Sequence, residues 1–260
     1  MIRTFRFCLI YRRLKTAEVN FLCVHREWRS KRLAPLLIKE VTRRVNLVGI
    51  YQAIYTAGVK IPQPICTATY YHMPLNQRKL VSSGFCSPHQ TFSNIYKDFS
   101  QISLEALRME DAEDVVAKLN AYTSNFKLHP IFSVHEFLHY FIPREGIIYS
   151  FIKKKKGQIT DFISFYSVPT TVLEKNITIN VAYLFYYFSP DKNSLVELLG
   201  GALCQCERLG FDVFNVLDVM SNQDTFNELG FAPGDGKLNY YLFNWKTSKL
   251  APAEIGFVLF

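Results

Sequence analysis

Two stretches of this 260-residue chain read strand, helix, strand, and that repeated order constrains the fold more than any other feature. In the first stretch, the run Val19-Asn20-Phe21-Leu22-Cys23-Val24 is extended in character. Residues 33–45 then place apolar side chains at 33, 36, 37, 38, 41 and 45, and residues 50–56 are again strand-like. Apolar residues recurring at three- and four-residue intervals mark a helix with one buried face. The second stretch covers residues 181–217, with its helix at 194–209. Both predict one α/β half-unit used twice, with mixed sheets and helices packed on them. Further helices are predicted at 109–126, 134–141 and 222–229. Further strands are predicted at 147–152, 159–167, 178–188, 211–217, 238–244 and 255–260. Residues 61–88, with four prolines, read as loop-rich.

Charge narrows the function. The net charge is +8, yet residues 1–48 hold twelve Lys/Arg against three acidic residues, so the whole positive excess lies there. Such a block suits a phosphate-bearing small molecule, an anionic membrane or nucleic acid. Its densest part, Arg29-Ser30-Lys31-Arg32, sits where the first strand turns into the first helix. Guanidinium, ammonium, hydroxyl and helix-start N–H groups gathered there would cradle a pyrophosphate. A solvated basic helix start is the plainer alternative. The corresponding turn of the second half, Ser189-Pro190-Asp191-Lys192-Asn193-Ser194, carries no such charge, so a phosphate-bearing ligand is expected once, in the first half. Lys153 to Lys156, followed by Gly157, read as a solvated hairpin turn.

Several classes are excluded or demoted. No stretch approaches the roughly 18–20 uncharged apolar residues that cross a bilayer. The first fifteen residues mix Phe and Leu with arginines, which interrupts a secretory signal and leaves a strand-like leader, an unordered one or a transit peptide. The six cysteines form no CxxC pair, which favours reduced thiols. Cys204 and Cys206 project from opposite sides of a helix and are poor joint metal ligands. His135-Glu136-Phe137-Leu138-His139 does fit the H-E-x-x-H zinc-protease pattern. Pro143 ends that helix almost at once, and Glu145 is too near to act as a separately delivered third ligand, so no metal is expected.

The run Glu18-Val19-Asn20-Phe21-Leu22-Cys23-Val24-His25, with Arg29-Ser30-Lys31-Arg32-Leu33-Ala34-Pro35 behind it, resembles a signature of the eukaryotic protein N-myristoyltransferases, the glycylpeptide N-tetradecanoyltransferases. The resemblance continues in order through Tyr55-Thr56-Ala57-Gly58, Tyr71-His72, Leu75-Asn76 and Asp161-Phe162-Ile163-Ser164-Phe165-Tyr166. It closes with Gly210 to Asn215, Gly234-Asp235-Gly236 and Tyr240 to Trp245. It covers about residues 17 to 260. It implies two acetyltransferase-like halves, the first incomplete, and transfer of myristate from myristoyl-CoA, a co-substrate, to an N-terminal glycine amine, with no other cofactor.

Roles implied by the resemblance fall on named residues. The backbone N–H groups of Phe21 and Leu22 would form an oxyanion hole. Leu22, Cys23 and Val24, with Arg29, Ser30, Lys31, Arg32, Leu33, Ala34 and Pro35, would contact acyl-CoA. Asn20, Thr56, Tyr70, His72, Ser164, Tyr183, Asp235, Gly236 and Leu259 would line the peptide site. The α-carboxylate of Phe260 would act as general base, with Thr56 holding the amine or a bridging water.

The sequence departs from the family at Gly230-Phe231-Ala232-Pro233, where Lys-Phe-Gly-x is usual, and at Arg26, where lysine is usual. The resemblance also implies a long segment ahead of the first signature that residues 1–16 are too short to replace. The chain is therefore divided into a leader (1–16), a partial acyl-CoA half (17–100) and a peptide-binding half (101–260). Expected partners are myristoyl-CoA and glycine-initiated peptides or proteins, not nucleic acid. A cytoplasmic monomer without a transmembrane segment is expected, with peripheral membrane or ribosome association left open. A non-catalytic relative of the same fold is the main alternative, and a zinc metalloprotease the remote one.

Overall fold

In the computed structural model, residues 2–10, 12–87 and 94–259 are described. The chain opens on a hairpin, β1 (Ile2–Leu9) and β2 (Arg12–Val19), followed by α1 (Leu33–Leu47), β3 (Ala53–Ala57), β4 (Cys66–Pro74) and α2 (Gln77–Ser83). It continues through β5 (Glu105–Ala106), α3 (Ala112–Thr123), β6 (Leu128–Ile131), α4 (Val134–Phe141), β7 (Ile148–Lys155) and β8 (Gln158–Ser167). After a small hairpin of β9 (Thr170–Val172) and β10 (Ile177–Ile179) come β11 (Val181–Phe188), α5 (Lys192–Arg208), β12 (Val213–Leu217), α6 (Gln223–Leu229) and β13 (Ala232–Phe243). Eleven strands form one mixed sheet in the order β5-β7-β8-β11-β12-β4-β13-β3-β2-β1-β6.

The twice-used half-unit is present. β2 runs parallel to β3 with α1 between them in sequence, and β11 runs parallel to β12 with α5 between them. Parallel neighbours cannot be joined by a tight turn, so each needs its crossover helix. The two copies differ in burial. α5 buries Leu195, Leu198, Leu199, Ala202, Leu203 and Cys206, with Asp191 accepting the Ser194 N–H at its start. α1 buries only Val45 and leaves Leu36, Leu37 and Ile38 exposed.

Local chemistry explains the other helices. Ser133 and Glu136 form a reciprocal capping box on α4, and Ile142, which precedes Pro143, adopts the extended backbone that proline imposes on its predecessor. Asn76 caps α2, and Gly84 closes it at φ 83°. Between β7 and β8, Lys156 and Gly157 both have positive φ, at 51° and 80°, as a two-residue hairpin turn requires. Lys153 and Lys154 belong to the strand and pair with Glu197 and with Glu105 and Asp111.

Four expectations are corrected. The first strand ends at Val19, so residues 20–25 are irregular instead of extended. The proline-rich stretch 61–88 holds β4 and α2: Pro62 and Pro64 precede the strand and Pro74 ends it, so prolines bracket these elements without breaking them. The predicted strand 178–188 is two strands, split at Asn180, whose N–H is taken by Asp212. The predicted terminal strand over 255–260 is not a strand as far as Leu259.

That tail is instead threaded through the core. Ile255, Phe257, Val258 and Leu259 are buried, and tyrosines from three strands reach its backbone. Tyr240 Oη donates to the Phe257 carbonyl at 3.0 Å. Tyr186 Oη donates to the Val258 carbonyl at 3.2 Å and accepts its N–H at 3.0 Å. Tyr166 Oη reaches the Leu259 carbonyl at 3.4 Å. Burial pushes all three hydroxyls well above the ordinary tyrosine range, so they stay protonated donors.

Candidate functional site

Strand register builds the site. Tyr166 of β8 lies opposite Tyr183 of β11, Tyr183 opposite Asn215 of β12, Asn215 opposite His72 of β4, and His72 opposite Ala232 of β13. One row across five strands thus presents aromatic and polar groups to a single face. Tyr70 and Pro74, two residues either side of His72, join it, because alternate residues of a strand share a face. A cavity of about 620 Å³ opens over this row. Its other walls are Phe85 and Cys86, which follow α2, and the bulged segment from Pro233 to Gly236.

The walls are aromatic and tightly coupled. Tyr166 stacks on Tyr183 at 5.3 Å, and Tyr70 meets Tyr183 edge-on at 6.1 Å. Burial raises the Tyr70 hydroxyl to about 12, so it acts as a neutral donor or acceptor, and burial likewise raises the Cys86 thiol. His72 Nδ1 lies 2.6 Å from Asn215 Oδ1, and the ring meets Phe85 edge-on at 5.8 Å.

The structure therefore brings together Tyr70, His72, Tyr183, Asp235 and Gly236 of the expected peptide-side residues. Ser164 is fully buried and does not line the cavity. β11 bulges between Leu184 and Tyr187, and the Ser164 hydroxyl bridges the bulge by donating to the Tyr186 carbonyl and accepting its N–H. Thr56 lies on β3 opposite Tyr240. Leu259 is buried in the tail, and Phe260 lies outside the described residues. Sequence reasoning gave no role to Asn215, Phe85, Cys86 or Gly234. Asn215 stands in a quoted motif, but only strand register could show that it meets His72.

The second cluster lies at the far end of β2, with β13 and β3 between it and β4. Asn20 is buried and its amide donates to the buried Glu18 carboxylate. Phe21 takes a left-handed backbone, φ 55°, uncommon for an aromatic residue. Among the described residues, the N–H groups of Phe21 and Leu22 make no hydrogen bond within the chain. Two adjacent donors on a turned backbone can receive an oxyanion.

The basic segment is not a direct strand-to-helix turn as expected. A 3₁₀ turn at Arg26–Trp28 intervenes, Ser30 and Arg32 have φ of 64° and 56°, and α1 starts only at Leu33. Arg29 Nε donates to the Val24 carbonyl at 3.1 Å, tying the turn back to the irregular segment, and Lys31 lies over the Trp28 ring at 4.8 Å. Arg29, Ser30, Lys31 and Arg32 are all exposed, and no side chain caps the N-terminus of α1. Cys23 is exposed, Val24, Leu33 and Ala34 are half-buried, and Pro35 occupies the first turn, where its missing N–H costs nothing.

The zinc pattern finds no support. The Glu136 carboxylate is committed to the Ser133 N–H and hydroxyl, and among the described residues no group of three or more His, Cys, Asp or Glu side chains could hold a metal. Among the same residues, no helix is long and apolar enough to cross a membrane.

A profile of the myristoyl-CoA:protein N-myristoyltransferase C-terminal domain matches residues 87–256, and one of the N-terminal domain matches residues 5–68. Glycylpeptide N-tetradecanoyltransferase of Plasmodium falciparum (isolate 3D7) is 44% identical over 256 residues, covering 95% of this chain and 62% of that protein. Glycylpeptide N-tetradecanoyltransferase 2 of Danio rerio is 43% identical over 262 residues, covering 96% and 53%. The chain thus spans between about half and two thirds of the length of these curated relatives. Saccharomyces cerevisiae N-myristoyltransferase with bound myristoyl-CoA superposes with a TM-score of 0.90 at 33% identity, covering 100% of this chain and 72% of that one. A GCN5-related N-acetyltransferase from Anabaena variabilis shares the fold alone, with a TM-score of 0.56 at 9% identity.

Proposed function

Since the chain belongs to the myristoyl-CoA:protein N-myristoyltransferase family, we propose that it transfers myristate from myristoyl-CoA to the N-terminal glycine amine of proteins. The observation that carries this reading is the cavity itself. Tyr70, His72, Tyr183, Asp235 and Gly236, five of the nine residues expected at the peptide site, line one space with aromatic walls and a few directed polar groups. That is the usual make-up of a site for an organic ligand.

On this reading the acyl-CoA contacts lie within residues 17–100, and the peptide site is shared between Tyr70 and His72 of that part and Tyr183, Asp235 and Gly236 of residues 101–260. Arg29, Lys31 and Arg32 hold the coenzyme's phosphates. The N–H groups of Phe21 and Leu22 receive the thioester oxygen as it gains charge. An α-amine has an ordinary pKa of about 7.7–8.0, so at neutral pH it must lose a proton before it can attack. We assign that proton to the α-carboxylate of Phe260, with Thr56 orienting the amine. The amine nitrogen bonds to the carbonyl carbon, the C–S bond breaks, and the second amine proton goes to the departing thiolate. The reaction takes place in the cytoplasm on a monomer.

The test is intact-mass measurement of a glycine-initiated peptide incubated with the chain and myristoyl-CoA. The glycine peptide should gain one myristoyl group and an alanine-initiated peptide far less. A chain that binds myristoyl-CoA yet acylates neither would show the non-catalytic relative to be the correct reading.

A further inference from the structure

His72 is held from three sides, and each contact has a separate cause. Its strand register opposite Asn215 places Nδ1 2.6 Å from the Asn215 Oδ1 atom. A carboxamide oxygen only accepts hydrogen bonds, so the proton between these atoms belongs to Nδ1. The ring edge rests against Phe85 at 5.8 Å between centroids, with the planes at 82°. On the remaining side runs the backbone of Gly234. A Cβ there would lie 2.1 Å from His72 Nε2, 2.7 Å from its Cδ2 and 3.0 Å from the Tyr70 carbonyl oxygen. Only glycine lets the loop pass so close to the ring. Asn215, Phe85 and Gly234 all line the same cavity as His72.

We propose that Asn215 is a positioning residue that locks His72 in its Nδ1–H tautomer, so that Nε2 offers the cavity a lone pair, with glycine at position 234 sparing that nitrogen the Cβ that any other residue would press against it. The inference rests on the reading of the cavity as the peptide site and deepens it. In a neutral imidazole one nitrogen donates and the other accepts, and the hydrogen bond made by the first decides the role of the second. A peptide group that meets Nε2 must then bring an N–H or O–H. A carbonyl or carboxylate in that place would face a lone pair and be rejected.

The imidazole nitrogens can be observed directly in the ¹⁵N-labelled full chain, with the His72 signals identified by their loss in His72→Gln. In the neutral ring, wild-type His72 should show a protonated Nδ1 and a bare Nε2. Asn215→Leu, similar in volume but without an acceptor, should populate the other tautomer and weaken binding of a glycine-initiated peptide about tenfold. Its affinity for myristoyl-CoA should not change. Asn215→Asp, which keeps an oxygen in place, should restore both the tautomer and peptide affinity. A protonated Nε2 in the wild type, or an unchanged tautomer in Asn215→Leu, would overturn the proposal. The predicted tautomer shift without any change in peptide affinity would overturn instead the peptide reading of the cavity, leaving the role of Asn215 in place.

Discussion

Tyr186→Phe should be among the costliest single-atom deletions in the molecule. The residue is fully buried, and phenylalanine fills the same shape, so the change removes one hydroxyl and opens almost no cavity. That hydroxyl donates to the Val258 carbonyl at 3.2 Å and accepts the Val258 N–H at 3.0 Å. Both backbone groups are buried where water does not replace the lost partner. Each buried group left unsatisfied costs about 1–3 kcal/mol, and a small part is recovered because the hydroxyl itself is no longer buried. The net loss should be about 2–4 kcal/mol. For a chain of this size 1 kcal/mol shifts Tm by about 2–4 °C, so the midpoint should fall by roughly 4–16 °C. Tyr240→Phe is the internal control: it strands one carbonyl, that of Phe257, and should lose about half as much. Both variants are compared by calorimetry and by urea denaturation at pH 7. Carboxypeptidase digestion then reports whether the tail is released. Equal losses at the two positions, or a Tyr186→Phe loss below about 1 kcal/mol, would refute the argument that these hydroxyls satisfy the tail's backbone.

Replacing Arg29, Lys31 and Arg32 together by alanine should weaken myristoyl-CoA binding at least tenfold and flatten its salt dependence, because these exposed cations have phosphates to gain and little folding role to lose; calorimetry at two ionic strengths checks both. Gly256→Ala should cost about 1–3 kcal/mol, since a Cβ would sit 2.6 Å from Phe126 Cδ2 and 2.8 Å from Phe126 Cβ, an atom too near the backbone to swing aside. Its thermal midpoint should fall accordingly. Asp218 accepts the Thr69 N–H at 2.8 Å, but burial raises its pKa above the ordinary carboxylate value. Its folded pKa exceeds its unfolded one, so its contribution is greatest below the unfolded value of about 3.9 and is lost as pH rises through the folded value. Asp218→Asn, which keeps the acceptor, should therefore be the more stable protein at pH 7, with the gap closing toward about pH 4; a gap constant across that range in urea titrations would contradict it.

Where structure follows from neighbours within a few residues, the sequence was sufficient. The helix α4 was placed by its apolar spacing and by Pro143, and the β7–β8 hairpin by the lysine run ahead of Gly157, although Lys153, Lys154 and Lys155 belong to the strand and only Lys156 and Gly157 turn. The repeated strand-helix-strand order foretold a half-unit used twice, because a parallel pair needs a crossover long enough to be visible as a helix, although the first strand lies at Arg12–Val19 and not at 19–24. The resemblance assigned nine residues to one peptide site, and five of them line the cavity. What the sequence left open depends on pairing between distant segments. Nothing local in residues 61–88 reveals that β4 is a central strand, because its place is set by β12 and β13 on either side. The tail's apolar run was read as a strand, yet side-chain hydroxyls from three other strands satisfy its backbone. His72 and Asn215 stand 143 positions apart, and their contact exists only because one strand order and one register place them side by side. Local propensity reaches about one helical turn or one hairpin; a hydrogen bond across a sheet is decided by which strands become neighbours, and that is settled by burying the whole core at once.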